Sequence, residues 1–490
     1  MNEQEEKKLK KKFPNIKTIL KRRQRRKRGD MGYFDFFMLG FGSMVGVGWA
    51  VSSNSWIADA GGPIPAFIGF LVATLLLVPI GLCHGELLAT LPMGGGVMVY
   101  TEKAFGKRMS FISSWFLALA YLTILPWEAI YVNEILTGVI PIFSGGRVLY
   151  HIGGYPIELS SIVLGVALAL ILFFINYKGS KFAAKLQSIL SFVIIIVGVI
   201  VIAASFAKSD VNNLYPIYEN INSNNHNSLF GGIVAMIVIV PFFMAGFDTI
   251  PQSIEETSPD KKFKYIATSL VLSIIAAGIF YALVIISTGS VSSWREYSLS
   301  SPPAMGKLLE SAYSGSFGKA LNYLVLIGTV SGLFSTWNGM FMASARLIQS
   351  MGASGLIPEF FGAKHAEYNT PVAGSILCFI FAAVGPFVGP NFINPLTSLG
   401  SVAFVIGWFL TCLSLLFILN ADKDYYTSYK AKGGKFTVYL AIFISAAIVI
   451  MTFIPKAPSF MGYPALIIFF IWLGLGLVFD HINTKKSLEN

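Results

Sequence analysis

The hydropathic pattern of the chain is a succession of long apolar runs separated by short polar ones. A run that crosses a bilayer as a helix needs about 20 residues at 1.5 Å each. Twelve windows meet that test, at about 33–56, 64–88, 110–140, 157–177, 183–207, 229–256, 264–289, 317–350, 372–389, 394–420, 437–455 and 460–480. The expected fold is an all-α polytopic membrane protein with twelve transmembrane helices. None of the polar connectors is large enough for an independent soluble domain. Those at 208–228 and 290–316 read as solvated connectors or outer lids.

Two of the runs contain helix breakers. The first holds GFGSMVGVGW at Gly40–Trp49, with Gly40, Gly42, Gly46 and Gly48. Each glycine in a helix interior costs about 1 kcal/mol, so this stretch is easy to interrupt. The second, at 229–256, holds Pro241, Gly246 and Pro251, with Asp248 among them. Asp248 reads either as a cap for the restarted half-helix or as a functional charge at membrane depth. Interrupted backbone inside a membrane is tolerated where it is buried in protein or lines a cavity. Its free amides suit an anionic group and its free carbonyls suit an ammonium; a zwitterionic amino acid carries both. The plainer reading of the glycines is close packing against a neighbouring helix. Breaks in the first and sixth runs fit two inverted repeats of five helices, with the substrate held between the breaks.

Composition and charge sharpen this picture. Of 490 residues 54% are hydrophobic and 12% charged, against about 25% charged in a soluble domain. Cys83, Cys378 and Cys412 all fall in apolar runs and read as buried thiols, and no His/Cys cluster has metal-ligand spacing. The net charge of +11 is concentrated in residues 1–30, which hold 13 Lys and Arg, including KRRQRRKR at 21–28. A cytoplasmic tail on anionic lipid accounts for that run more simply than a nucleic-acid partner does. The charged N-terminus is also too long for the n-region of a cleavable signal. With the N-terminus placed in the cytoplasm, thirty of the 36 Lys and Arg fall on the cytoplasmic side and six outside. That alternation supports the span count, a cytoplasmic location for both termini, and residence in the cell membrane.

Four motifs then resemble the amino acid–polyamine–organocation (APC) superfamily of permeases. They are Gly42-Ser43-Met44-Val45-Gly46-Val47-Gly48 in the first run, ELLATLPMGGGVMVYTEKAFG from Glu86 to Gly106, Gly246-Phe247-Asp248 followed by Glu255-Glu256, and RLIQSMGASGLIPEFFGAKHAEYNTP from Arg346 to Pro371. The resemblance implies a LeuT-type five-plus-five fold and transport of amino acids or related amines. It divides the chain into a basic tail (1–32), a ten-helix core (33–420, with repeats 33–207 and 229–420) and two accessory helices with the C-terminal tail (421–490). It further implies that amides around Gly46, Val47 and Gly48, in the segment that includes Val45, meet the substrate carboxylate. Carbonyls near Met44 and around Phe243, Met244, Ala245 and Gly246 would meet its ammonium. Phe247 would act as an aromatic gate, and Trp49 would narrow the pocket or simply pack. Some sodium-independent members carry a lysine in helix 5; counted from Gly179 that position is Ile194, so that lysine is absent and the resemblance does not extend to that mode of coupling. The helix-8 hydroxyls of sodium-coupled relatives correspond to Phe334 and Ser335, with Ser331 and Thr336 nearby.

Among other polar groups, Glu128 is a lone carboxylate in an apolar run. It reads as a proton carrier, a counter-ion for a cationic substrate, or a protonated structural acid. Glu86 and His84 lie near a membrane interface, and Asn338 reads as an interhelical hydrogen-bonding group. The expected function is a secondary transporter for amino acids or amines working by alternating access. No bond chemistry or cofactor is expected, and a proton or sodium is the candidate coupling ion through Glu128, Asp248 or Ser335. An amine or polyamine exchanger, an amino-acid-sensing receptor, a channel and a membrane enzyme are the rival classes. The sparse polar residues argue against a continuous pore, and no catalytic set lies in one plane.

Overall fold

The computed structural model describes residues 31–137, 146–221, 227–300, 304–421, 425–455, 457 and 460–489. The basic tail, apart from its last two residues, lies outside them. The first apolar run forms three pieces: α1 (Tyr33–Met44), α2 (Gly48–Val51) and α3 (Ser53–Ala60). Gly61 ends α3 in the left-handed region, and Pro63 opens α4 (Pro63–Thr90) at a position where its missing N–H costs nothing. A short helix, α5 (Val97–Phe105), leads into α6 (Lys107–Thr137). Next come α7 (Leu159–Lys178) and α8 (Ser180–Ala207). The sixth run gives α9 (Leu229–Phe243), then, after a break, the single turn α10 (Thr249–Gln252). The remainder is α11 (Phe263–Thr288), α12 (Trp294–Ser298), α13 (Ala304–Tyr313), α14 (Gly315–Ala353), α15 (Val372–Val388), α16 (Ile393–Ala421), α17 (Lys435–Phe453) and α18 (Tyr463–Glu489).

Among the described residues, ten stretches of helix are long and apolar enough to cross a membrane, and α9 and α15 are shorter apolar helices. The chain is therefore a multi-pass membrane protein. α11 packs along α4, α16 along α6, and α8 along α14. Helices at the periphery turn bulky apolar side chains outward, such as Phe174 on α7, Val199 on α8, Phe443 on α17 and Ile471 on α18. In water such a surface would aggregate; in lipid it is what a spanning helix requires. All three cysteines are buried thiols.

Two expectations need correction. The fold is not purely helical: β1 (Val148–Ile152) and β2 (Tyr155–Glu158) form an antiparallel hairpin between α6 and α7. Its signal is a β-rich flank on each side of Gly153-Gly154, both at positive φ, which is the backbone a two-residue hairpin turn needs. The connector after α11 is also more than solvated chain. It folds into α12 and α13, with Trp294 and Tyr297 buried. The Tyr297 hydroxyl lies 2.7 Å from Ser53 Oγ, Asn54 Nδ2 donates to Ser300 O, and Trp294 Nε1 donates to Pro216 O. This connector thus covers α3. Toward the other end of the molecule, Arg346 donates to Ser253 Oγ and pairs with Glu256 at 3.3 Å. Met31 and residues 256–258 bond through their backbones there.

Candidate functional site

The site is built from backbone that has left the helix. At the first break, Val45 N–H still donates to Phe41 O, but Gly46 N–H turns back onto Met44 O. Helical geometry resumes at Gly48, so the carbonyl end of α1 and the amide end of α2 lie side by side. At the second break, Met244 N–H donates to Val240 O, and the chain then reverses at Gly246, whose φ is +139°. A Cβ there would sit 2.6 Å from the Ser43 carbonyl carbon and 2.7 Å from Met44 N, so the two breaks cross backbone against backbone. A residue with a side chain fails here on both conformation and space.

A small cavity opens beside this crossing. The first break lines it with Met44, Gly46, Val47 and Gly48, and the second with Phe242, Phe243 and Ala245. α6 adds Ile124, Trp127 and Glu128, while Tyr281 of α11 and Thr336 of α14 complete the wall. One part of the wall is polar and the other aromatic. Tyr281 OH donates to Met44 O at 2.7 Å, satisfying one carbonyl freed by the break. Trp127 Nε1 donates to Thr397 Oγ1, which fixes its ring, and Phe243 packs on Trp56 with ring centroids 4.7 Å apart.

Glu128 is 1% exposed, and its Oε1 lies 3.2 Å from where a Cβ on Gly46 would stand. Its Oε2 has no hydrogen-bond partner among the described residues. A buried polar atom left this way is costly unless something else meets it. Glu128 thus sets one carboxyl oxygen near the first break and leaves the other without a partner among the described residues.

Other expected residues fall elsewhere. Val45 and Met244 are buried but do not line the cavity, and Gly246 serves the crossing. Trp49 turns away from the cavity and packs on Phe280, its ring close to Gly328. Phe247 also lies off the cavity, between His84 and Trp408, with ring separations of 5.2 and 4.8 Å. Phe243, one turn earlier, lines the cavity in its place, together with Phe242, Trp127 and Tyr281. Asp248 reaches backward instead of capping α10: its Oδ1 accepts Gly246 N–H and its Oδ2 accepts the Tyr121 hydroxyl. Ser335 donates to Gly42 O at 2.9 Å, and Thr336 donates to the same carbonyl at 3.2 Å. Sequence reasoning missed Tyr281, Trp127 and Gln187. The Gln187 side chain donates to Ser335 Oγ, and its only signal was an amide in an apolar helix.

The family model described as "Amino acid permease" matches residues 31–478. The chain belongs to that family. Its function is therefore that of an amino acid permease, a transporter and not an enzyme. It is 23% identical over 468 residues to the branched-chain amino acid permease BcaP of Bacillus subtilis (strain 168), covering 93% of each chain. It is 25% identical to the glutamate/serine transporter AimA of the same organism, covering 82% of this chain and 74% of the relative. It is 24% identical to an aspartate-proton symporter, again from that organism, covering 90% and 83%.

The crossing gives a direct test. Gly46→Leu places a side chain within 2.4 Å of Thr336 Oγ1 at its first carbon. The variant is expected to stay monodisperse while its affinity for any transported amino acid falls at least about a hundredfold, as overpacking of roughly 3 kcal/mol would produce. Ligand-induced thermal shift of the purified protein reads this. An unchanged shift in a well-folded variant removes the cavity from consideration.

Proposed function

We propose that this permease moves a neutral, apolar amino acid together with a proton carried on Glu128. The observation that carries the reading is the buried Glu128 carboxyl, which lines the cavity beside the first break with one oxygen unpartnered among the described residues. A bare carboxylate at membrane depth is unfavourable, so it holds a proton or meets a cation. The wall of Ile124, Trp127, Phe242 and Phe243 suits an apolar substrate side chain, and no Lys or Arg lines the cavity to receive a second carboxylate. Amides around Gly46 to Gly48 would meet the substrate carboxylate, and carbonyls of Met44, Phe243 and Ala245 its ammonium. The relatives named for branched-chain transport and for proton symport support both halves of the reading.

A second reading is favoured by the same carboxyl: Glu128 as counter-ion for a cationic substrate. Relatives named cationic amino acid transporters, 24% identical in Mus musculus and 27% in Arabidopsis thaliana, fit it.

The architecture proposed with this function has twelve spans, α9–α10 and α15 included, arranged as repeats 33–207 and 229–420 in the LeuT manner and followed by two accessory helices. Both termini are cytoplasmic, the tail rests on anionic lipid, and the protein resides in the cell membrane. Breaks at equivalent places in the first and sixth spans support the repeat, and the distribution of Lys and Arg supports the orientation. Cysteines introduced at Lys262 and Lys432 are expected to react with an impermeant maleimide only from the cytosol, and one at Asn212 only from outside. Labelling of Asn212 from the cytosol would overturn the orientation.

Glu128→Gln keeps size and hydrogen bonding but removes the titration. In liposomes, one proton per substrate and one pH unit support about tenfold accumulation. Wild-type protein is expected to accumulate neutral substrate under an inward proton gradient. Glu128→Gln should exchange substrate but accumulate none. Loss of cationic substrates alone would favour the second reading, and wild-type accumulation by the variant would make Glu128 structural.

A further inference from the structure

Gly42 O belongs to the last turn of α1, where its helical partner would be Gly46 N–H. That N–H instead bonds to Met44 O. The freed carbonyl lies at the negative end of a half-helix, a place that calls for a cation or for hydrogen-bond donors. Here it receives the hydroxyls of Ser335 and Thr336.

Behind Ser335 runs a chain of neutral amides through three helices. Asn176 Nδ2 on α7 donates to Leu172 O and to Asn338 Oδ1 on α14. Asn338 Nδ2 donates to Ala183 O and to Gln187 Oε1 on α8. Gln187 Nε2 donates to Ser335 Oγ at 2.8 Å, and Ser335 donates to Gly42 O. All four side chains are buried, none more than 6% exposed. Amide orientations follow from what each amide must satisfy. Leu172 O and Ala183 O can only accept, so they hold the two asparagine NH2 groups toward themselves. This leaves Asn338 Oδ1 facing Asn176, and Gln187 Oε1 facing Asn338 Nδ2. Reversing Gln187 alone would set donor against donor. The four bonds that link Asn176, Asn338, Gln187, Ser335 and Gly42 O therefore all run one way, toward the broken end of α1, and aligned hydrogen bonds of this kind polarise one another.

We propose that Gln187 is a positioning residue that holds α1 against α8 and α14, and that its NH2 keeps a monovalent cation away from Gly42 O, so that the permease works without sodium. Donor hydrogens cannot ligate a cation. A sodium ion at Gly42 O and Ser335 Oγ would have to displace the Gln187 amide and reverse the amides behind it. The inference rests on the chain being a permease, not on Glu128 carrying a proton.

The test reads α1 itself, with no substrate needed. Full-length protein in lipid nanodiscs is followed by hydrogen–deuterium exchange of residues 33–44, in sodium and in N-methylglucamine. Wild-type exchange is expected to be the same in both. Gln187→Ala should speed it about tenfold, the shift expected from leaving a buried hydrogen bond unmade, and sodium should not restore it. Gln187→Glu replaces the donor by an acceptor, so sodium should slow its exchange; Gln187→Lys keeps a donor and should remain indifferent to sodium. Slower wild-type exchange in sodium overturns the exclusion of cations, whatever the variants do. Exchange in Gln187→Ala equal to wild type overturns the positioning role. Amino-acid uptake by proteoliposomes that needs sodium would contradict the proposal independently, whereas absence of a proton effect would touch only Glu128.

Discussion

A helix interrupted inside a bilayer must find partners for every backbone group it releases, because no bulk solvent supplies them. The structure around both breaks follows from this constraint. Met44 O is met by Tyr281, Gly42 O by Ser335 and Thr336, Gly246 N–H by Asp248, and Gly246 O by Thr249 through both its N–H and its hydroxyl. Tyr281 on α11 and Ser335 and Thr336 on α14 are there to finish bonds that an unbroken helix would have made for itself.

The buried acids divide by the same criterion. Glu86 accepts Ala431 N–H, and Asp248 is held by Gly246 N–H and Tyr121. Those two are occupied with structure. Glu128 keeps an oxygen without a partner among the described residues, beside the cavity that the first break lines. Retaining such a group in a membrane core costs stability, which is why the proposed function places a proton there.

Much of this was legible in the sequence. Glycine and proline density located both breaks, and an isolated carboxylate in an apolar run marked Glu128. What could not be read was the direction in which side chains leave a broken segment. Phe243 and Phe247 are four apart and would share a face on an intact helix. Gly246 at φ +139° turns the chain between them, so Phe243 faces the cavity while Phe247 packs on His84 and Trp408. Trp49 falls beyond the other break, and counting along a helix fails there for the same reason. Gln187 was missed because the search was for a charge, counted to Ile194. The two positions are seven apart and lie on one face of α8, two turns from each other. An amide looks unremarkable in sequence and becomes informative only when its partners are visible.

The two breaks meet the bilayer's demand in different ways. The second is satisfied largely within its own segment, by Asp248 and Thr249, which lie two and three residues from Gly246. The first depends on side chains brought by other helices: Tyr281 from α11, Ser335 and Thr336 from α14, and Gln187 behind them from α8. Local bonds travel with the segment that makes them. Bonds to neighbouring helices hold only while those helices keep their places. The position of α1 is thus set by its surroundings in a way that the turn around Gly246 is not. Glu128 borders the same break from α6. On the proposed reading, a change in what Glu128 holds acts at the half-helix whose anchoring is least its own.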